Sequence, residues 1–256
     1  MLKCPGGLEP AHRAGSLTAR QCLVACALSA FATGAGAAKP CESRDLGFDV
    51  KGAGWKHQPM SKLKRDTAYT IGREGERTVL RASADGSASL YVAPFAAAMT
   101  LPATLSWEWK TGAAVPGADN RVKEREDAPL RVLVAFGGDY ATLPQAEQKR
   151  FDRAKLLSGR KPPFAVLMYV WSDLVSPETI IASAHTSQVK MLALAPGAAG
   201  LGAWQSIRRN LAADYRRAYG ADPGPLLGVA VMTDTDNTGG KAVGEYAGIR
   251  LRCAAG

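Results

Sequence analysis

The sequence predicts an all-β fold, an antiparallel sandwich or barrel, on three observations. Ten short runs rich in Val, Leu, Tyr and Trp recur at close spacing with turn residues between them. One run alternates large apolar with polar residues, the two-residue period of a half-buried strand. Only two stretches have helical character.

In chain order, Thr67–Gly72, Arg77–Ser83 and Ser87–Val92 are the first strands, with Glu74-Gly75 and Asp85-Gly86 as the hairpin-type turns between them. Ala103–Lys110 (ATLSWEWK) sets Leu105, Trp107 and Trp109 against Thr104, Ser106, Glu108 and Lys110, which puts both tryptophans on one face. Leu130–Phe136, Phe164–Trp171, Thr179–Ala182, Val189–Leu194, Leu226–Met232 and Tyr246–Arg252 complete the set. Gln145–Leu157 is polar and helix-compatible and reads as an insertion between strands. Trp204–Tyr219 has the better helical period: Trp204, Ile207, Leu211, Tyr215 and Ala218 make one stripe, and Gly220 stands where a helix cap belongs. Its four arginines (Arg208, Arg209, Arg216 and Arg217) lie off that stripe and read as a solvated basic face.

Residues 1–37 read as a secretory signal. Lys3, Arg13 and Arg20 supply the positive stretch, Cys22–Ala32 the apolar run, and Ala35-Gly36-Ala37 the small-x-small cleavage site. The rival reading is a lipoprotein signal ending at Leu23-Val24-Ala25-Cys26. The run is too short to span a bilayer, and no later segment is a candidate membrane helix. Cleavage after Ala37 leaves 219 residues, which read as one domain (38–256), and lowers the formal charge from +9 to +7. Cys41 and Cys253 then remain near opposite ends of the chain, either as a disulfide formed in an oxidising compartment or as two free thiols.

The common catalytic signatures are missing: there is no nucleophile elbow, no His-Glu-x-x-His helix and no phosphate loop. With only His57 and His185 after the signal, a zinc site of His and Cys ligands is excluded as the expected chemistry. One polar loop stands out. Asp234, Asp236, Gly239 and Glu245 occupy positions 1, 3, 6 and 12 of a calcium-loop pattern, although Thr238 holds position 5 and the flanks read as strands. The other reading is a turn in which Asp and Asn side chains bond to backbone amides. No other cofactor is expected. The remaining candidate ligand-binding residues are scattered: Trp107, Trp109 and Lys110; Asp127 and Arg131; Tyr169 and Trp171; Arg209, Asn210 and Asp214; and Asn237 in the polar loop. Aromatics beside Asp, Asn and Arg suit stacking on sugar rings and bonding to hydroxyls. The alternative places the tryptophans in the inter-sheet core and the Arg/Asp groups in structural ion pairs.

Five segments, LSWEWK (105–110), EDAPLRVLVAF (126–136), LMYVW (167–171), LGAWQSIRRNLAADYRRAYG (201–220) and GVAVMTDTDNTGG (228–240), give the chain a resemblance to the domain-of-unknown-function family 3047, exported bacterial proteins. The similarity runs from about Phe48 to Leu251, with Glu126 where Asp is usual. It implies a periplasmic protein with a jelly-roll-like antiparallel β-sandwich, similar to carbohydrate-binding modules, and it implies no activity. An acid at the place of Glu245 is not a regular feature of that family. The reading that follows is a non-catalytic binding module for a glycan or anionic envelope polymer, with no nucleic-acid partner. Two alternatives stand beside it: a hydrolase or lyase using Asp127, Asp234 or Asp236, and a structural envelope protein.

Overall fold

The computed structural model describes residues 31, 37–49, 53–61, 63–159, 161–194 and 200–253. Apart from Phe31 and residue 37, the segment read as a secretory signal lies outside the described residues. The strands are β1 (Arg44–Asp45), β2 (Lys56–Pro59), β3 (Ala68–Glu74), β4 (Arg77–Asp85), β5 (Ser89–Met99), β6 (Ala103–Thr111) and β7 (Ala128–Phe136). After helix α1 (Gln145–Ser158) come β8 (Ala165–Val170), β9 (Ile180–Ala182), β10 (Val189–Ala193) and β11 (Gln205–Asn210). Helix α2 (Leu211–Tyr219) and strands β12 (Leu226–Asp234) and β13 (Lys241–Cys253) follow.

The strands form two sheets, a β-sandwich. One runs β11-β6-β13-β4-β3, with β1 added to the end of β13. The other runs β2-β5-β12-β7-β8-β10-β9. Every pair is antiparallel except β10 on β8, so the seven-stranded sheet is mixed.

Alternation on the central strands builds two apolar layers. On β7, Leu130, Val132, Val134 and Phe136 face the other sheet, while Leu133 and Ala135 face outward into a second cluster. The sequence-predicted aromatics belong to the inner layer. Trp107 and Trp109 on β6 are 1% and 0% exposed, and Tyr169 and Trp171 are equally buried. The Trp107 and Tyr169 rings meet across the sandwich with centroids 5.1 Å apart. These four side chains are inter-sheet core, so no ligand stacks on them. A tryptophan buries far more apolar surface between two sheets than on either outer face.

The predicted helix over 204–219 is corrected at its first half. Residues 205–210 form edge strand β11, pairing Ile207 with Trp107 and Arg209 with Leu105. The helix begins where Asn210 caps it, its side chain accepting from the Ala213 N–H at 3.0 Å. Asn210→Ala is expected to destabilise the fold by about 1 kcal/mol, a fall of a few degrees in Tm. An unchanged melting curve contradicts that role.

The ends of the chain are tied together. Cys41 and Cys253 are joined by a disulfide. Beside it, β1 lies against β13 (Arg44 opposite Leu251), and Lys39 bridges to Met99 of the other sheet.

Candidate functional site

β7 and β12 run antiparallel through the middle of the seven-stranded sheet, and their pairing sets Asp234 opposite Ala128. The register shifts between Met232 and Asp234. There Thr233 bonds inward to Pro129 O at 2.8 Å, while Asp234 meets Arg131 on the outer face at 2.7 Å. Arg131 is 1% exposed. Its Nη2 donates to the Glu126 carbonyl at 2.9 Å, and its Nη1 lies 2.9 Å from the Met168 sulfur.

The turn after β12 is fastened to the segment before β7. The Asp127 carboxylate accepts from the backbone N–H groups of Asn237 and Thr238, at 3.2 and 2.7 Å, and from the Thr238 hydroxyl at 2.7 Å. The Asn237 amide donates to the Glu126 carbonyl at 3.1 Å. Asp236 pairs with the Lys64 ammonium. One oxygen from each of Asp127, Asp234 and Asp236 lies within 4.8 Å of the others. Burial pushes the Asp234 carboxyl up to about 7, against the pull of Arg131 and with the help of Asp127 and Asp236.

These groups stand at one side of a cleft of about 590 Å³ on the outer face of the seven-stranded sheet. Its floor is apolar, with Met60, Leu90, Leu133, Met168 and Met232. Its polar wall holds Lys64, Glu126, Asp234, Asp236, Asn237 and His185. The Nδ1 of His185 is buried with no hydrogen-bond partner. Glu126 shares that state: it is 9% exposed, and its Oε2 is buried with no hydrogen-bond partner. Burial raises its pKa, Arg131 opposes the rise, and Asp127 and Asp236 add to it. Burial, more than the nearby cations, lowers the pKa of His185. A second concavity of about 610 Å³ lies between α2 and residues 222–225. Its charged pair, Arg216 and Asp222, is exposed and satisfied at 2.6 Å, so it offers no buried group to orient a ligand.

Of the sequence-predicted residues, Asp127, Arg131, Asp234, Asp236 and Asn237 come together here. The others do not. Lys110 sits on the outer face of the opposite sheet, paired with Glu74 at 2.7 Å and Glu245 at 3.0 Å. Arg209 holds Asp214 through two bonds of 2.7 Å and also grips Glu178. Asp214 in turn accepts from the Tyr169 hydroxyl at 2.9 Å. With Asn210 as the cap, that segment secures β11 and α2 to the core. The calcium loop is corrected at its last position, because β13 carries Glu245 to Arg81 and Lys110 on the other sheet. Asp127, which the loop pattern does not include, stands beside Asp234 and Asp236 instead. Sequence reasoning missed Glu126, Lys64 and the methionine floor as site residues. An acid beside Asp127 was the one signal available for them.

No curated protein matches the chain. Among solved structures it is similar to the xyloglucanase domain of NopAA, a type three effector from Sinorhizobium fredii, in complex with cellobiose. That match has 8% identity and a TM-score of 0.39, covering 80% of this chain and 96% of that one. It is also similar to a family 30 carbohydrate-binding module, at 8% identity and a TM-score of 0.37, covering 84% and 100%. The family model DUF3047, a protein family of unknown function, matches residues 53–250. The register that joins Asp127 to the 234–238 turn, and the cap that starts α2, both fall within that match, and the chain belongs to the DUF3047 family.

Proposed function

We propose that this chain is an exported, non-catalytic binding module that holds a glycan or another envelope polymer in the outer cleft of the seven-stranded sheet. In this reading residues 1–37 are removed as a signal, and 38–256 act as a single domain in the periplasm or outside the cell. The Cys41–Cys253 disulfide fits an oxidising compartment. No helix among the described residues is long and apolar enough to cross a membrane.

The observation that carries the proposal is the Glu126 carboxyl. A buried oxygen left without a partner is costly, and a ligand hydroxyl or ammonium donor supplies what it lacks. The apolar floor gives the ligand's carbon skeleton a surface, and Asp236 and Asn237 line the polar wall beside it. The hydrolase reading finds its three aspartates together, but each is already committed. Asp127 clamps a turn, Asp234 neutralises Arg131 and Asp236 holds Lys64.

Titration calorimetry of the exported protein against bacterial envelope glycans and polyanions, with analysis for reaction products, tests the reading. Binding without product formation is expected, weakened about tenfold or more by Glu126→Gln while Tm stays within a few degrees. Product formation, or affinity indifferent to Glu126, overturns it.

A further inference from the structure

The cleft carries charge of the opposite sign to the chain as a whole. The sequence has a formal charge of +9, yet Glu126, Asp127, Asp234 and Asp236 gather at one side of the cleft. Two of these acids have a cation. Asp234 meets the Arg131 guanidinium at 2.7 Å, and Asp236 pairs with the Lys64 ammonium. Asp127 is satisfied by donors from Asn237 and Thr238. Arg65, also in the lining, turns away and donates to the Asp85 carbonyl at 3.1 Å.

Glu126 is left over. Arg131 donates to its main-chain carbonyl, and the carboxylate Oε2 is buried without a partner. Burial raises the pKa of this carboxyl, and Asp127 and Asp236 raise it further, against Arg131 and the Ala184 backbone N–H. The same two acids help to raise Asp234. The cluster thus holds more negative charge than its own cations balance. A ligand hydroxyl would complete the hydrogen bond of Oε2 but not its charge. A ligand ammonium does both, and a charge-assisted bond is roughly twice as strong as a neutral one.

A second unpartnered atom narrows the ligand further. His185 Nδ1, on the loop between β9 and β10, is buried in the lining of the same cleft. A ring nitrogen either donates or accepts, and a hydroxyl serves both cases. The apolar floor suits the carbon face of a ring. An amino sugar joins an ammonium, hydroxyls and such a face in one unit.

We propose that the cleft selects glycans with a free amino group, the ammonium bonding to Glu126 Oε2 and a hydroxyl to His185 Nδ1. The inference rests on the reading of the cleft as a glycan site and narrows its ligand. Anionic polymers are the disfavoured class, because the acid cluster repels them.

The test titrates the purified protein with three β-1,4-linked tetrasaccharides that differ only at C2: those of glucosamine, N-acetylglucosamine and glucose. The free amine is expected to bind at least tenfold more tightly than the other two. Glu126→Gln is expected to remove that preference, whereas His185→Ala should weaken all three alike. Equal affinity for the three overturns the amino sugar, and so does a preference that survives Glu126→Gln. So does 1,4-diaminobutane bound as tightly as the glucosamine oligomer, since an ammonium alone then suffices. Neutral glycans whose binding still depends on Glu126 would leave the reading of the cleft standing without this inference. Should Glu126→Gln fail to fold, the three-sugar series on the unaltered protein decides alone.

Discussion

Arg131→Ala should destabilise the protein by about 3–5 kcal/mol, a fall of roughly 6–20 °C in Tm. Arg131 is 1% exposed on a central strand, and its Nε is 2.7 Å from the Asp234 carboxylate. The alanine removes the counter-charge but leaves the acid, which sits within 4.8 Å of two further carboxylates. Taking away one partner of a buried pair leaves an uncompensated charge. The loss should also depend on pH. With Arg131 present, burial already holds the Asp234 carboxyl at about 7, far above its unfolded value of 3.8. Without Arg131 it rises further. A carboxyl raised in the folded state binds its proton there first, so its stabilising effect is full at low pH and is lost as pH rises through the folded value. The deficit of Arg131→Ala is therefore expected to be larger at pH 8 than at pH 5.5 in denaturant titrations. The double replacement Arg131→Met with Asp234→Asn removes both charges and should lose less than Arg131→Ala. A deficit under about 1 kcal/mol, or one equal at both pH values, contradicts this account.

Strand β6 was legible because a two-residue period survives in its sequence, and β7 because it is a short apolar run; both lie within two residues of their predicted limits. Alternation put Trp107 and Trp109 on one face but could not say which face, since core and binding platform present the same pattern. Strand β11 was misread because Gln205–Asn210 holds one large aliphatic residue, Ile207. That residue fits a helical stripe as well as a strand, and only pairing with β6 decides between them. The acid cluster was half legible. Asp234, Asp236 and Asn237 sit in one loop, but Asp127 reaches them through the β7–β12 register, which no local pattern encodes. Glu245 shows the converse error: a fitting sequence spacing carried by a strand into the opposite sheet. The methionine floor was hidden because an apolar residue on the outer face of a sheet reads like any other core residue.

Replacing both cysteines, Cys41→Ala with Cys253→Ala, is expected to lower stability by up to about 5 kcal/mol, or roughly 10–20 °C in Tm. The disulfide joins residues separated by 212 positions, so in the unfolded state it closes a loop of most of the chain. Loop-closure entropy grows with the logarithm of length, and a loop this long lies near the top of the range. The constraint also acts on the folded side. The segment at Cys41 touches both sheets, through Lys39 to Met99 and through Arg44–Asp45 to β13. It makes few contacts of its own: β1 is two residues long. Without the disulfide this segment should open before the rest, so limited proteolysis is expected to cut near residues 38–48 first. Reductant should lower the Tm of the unaltered protein toward that of the double variant and leave the variant unmoved. If the variant melts within a degree or two of the parent, the segment is held by its strand contacts alone. A large loss instead ties folding to an oxidising compartment, because a domain stable by only 5–15 kcal/mol cannot give up that much and stay reliably folded in a reducing one.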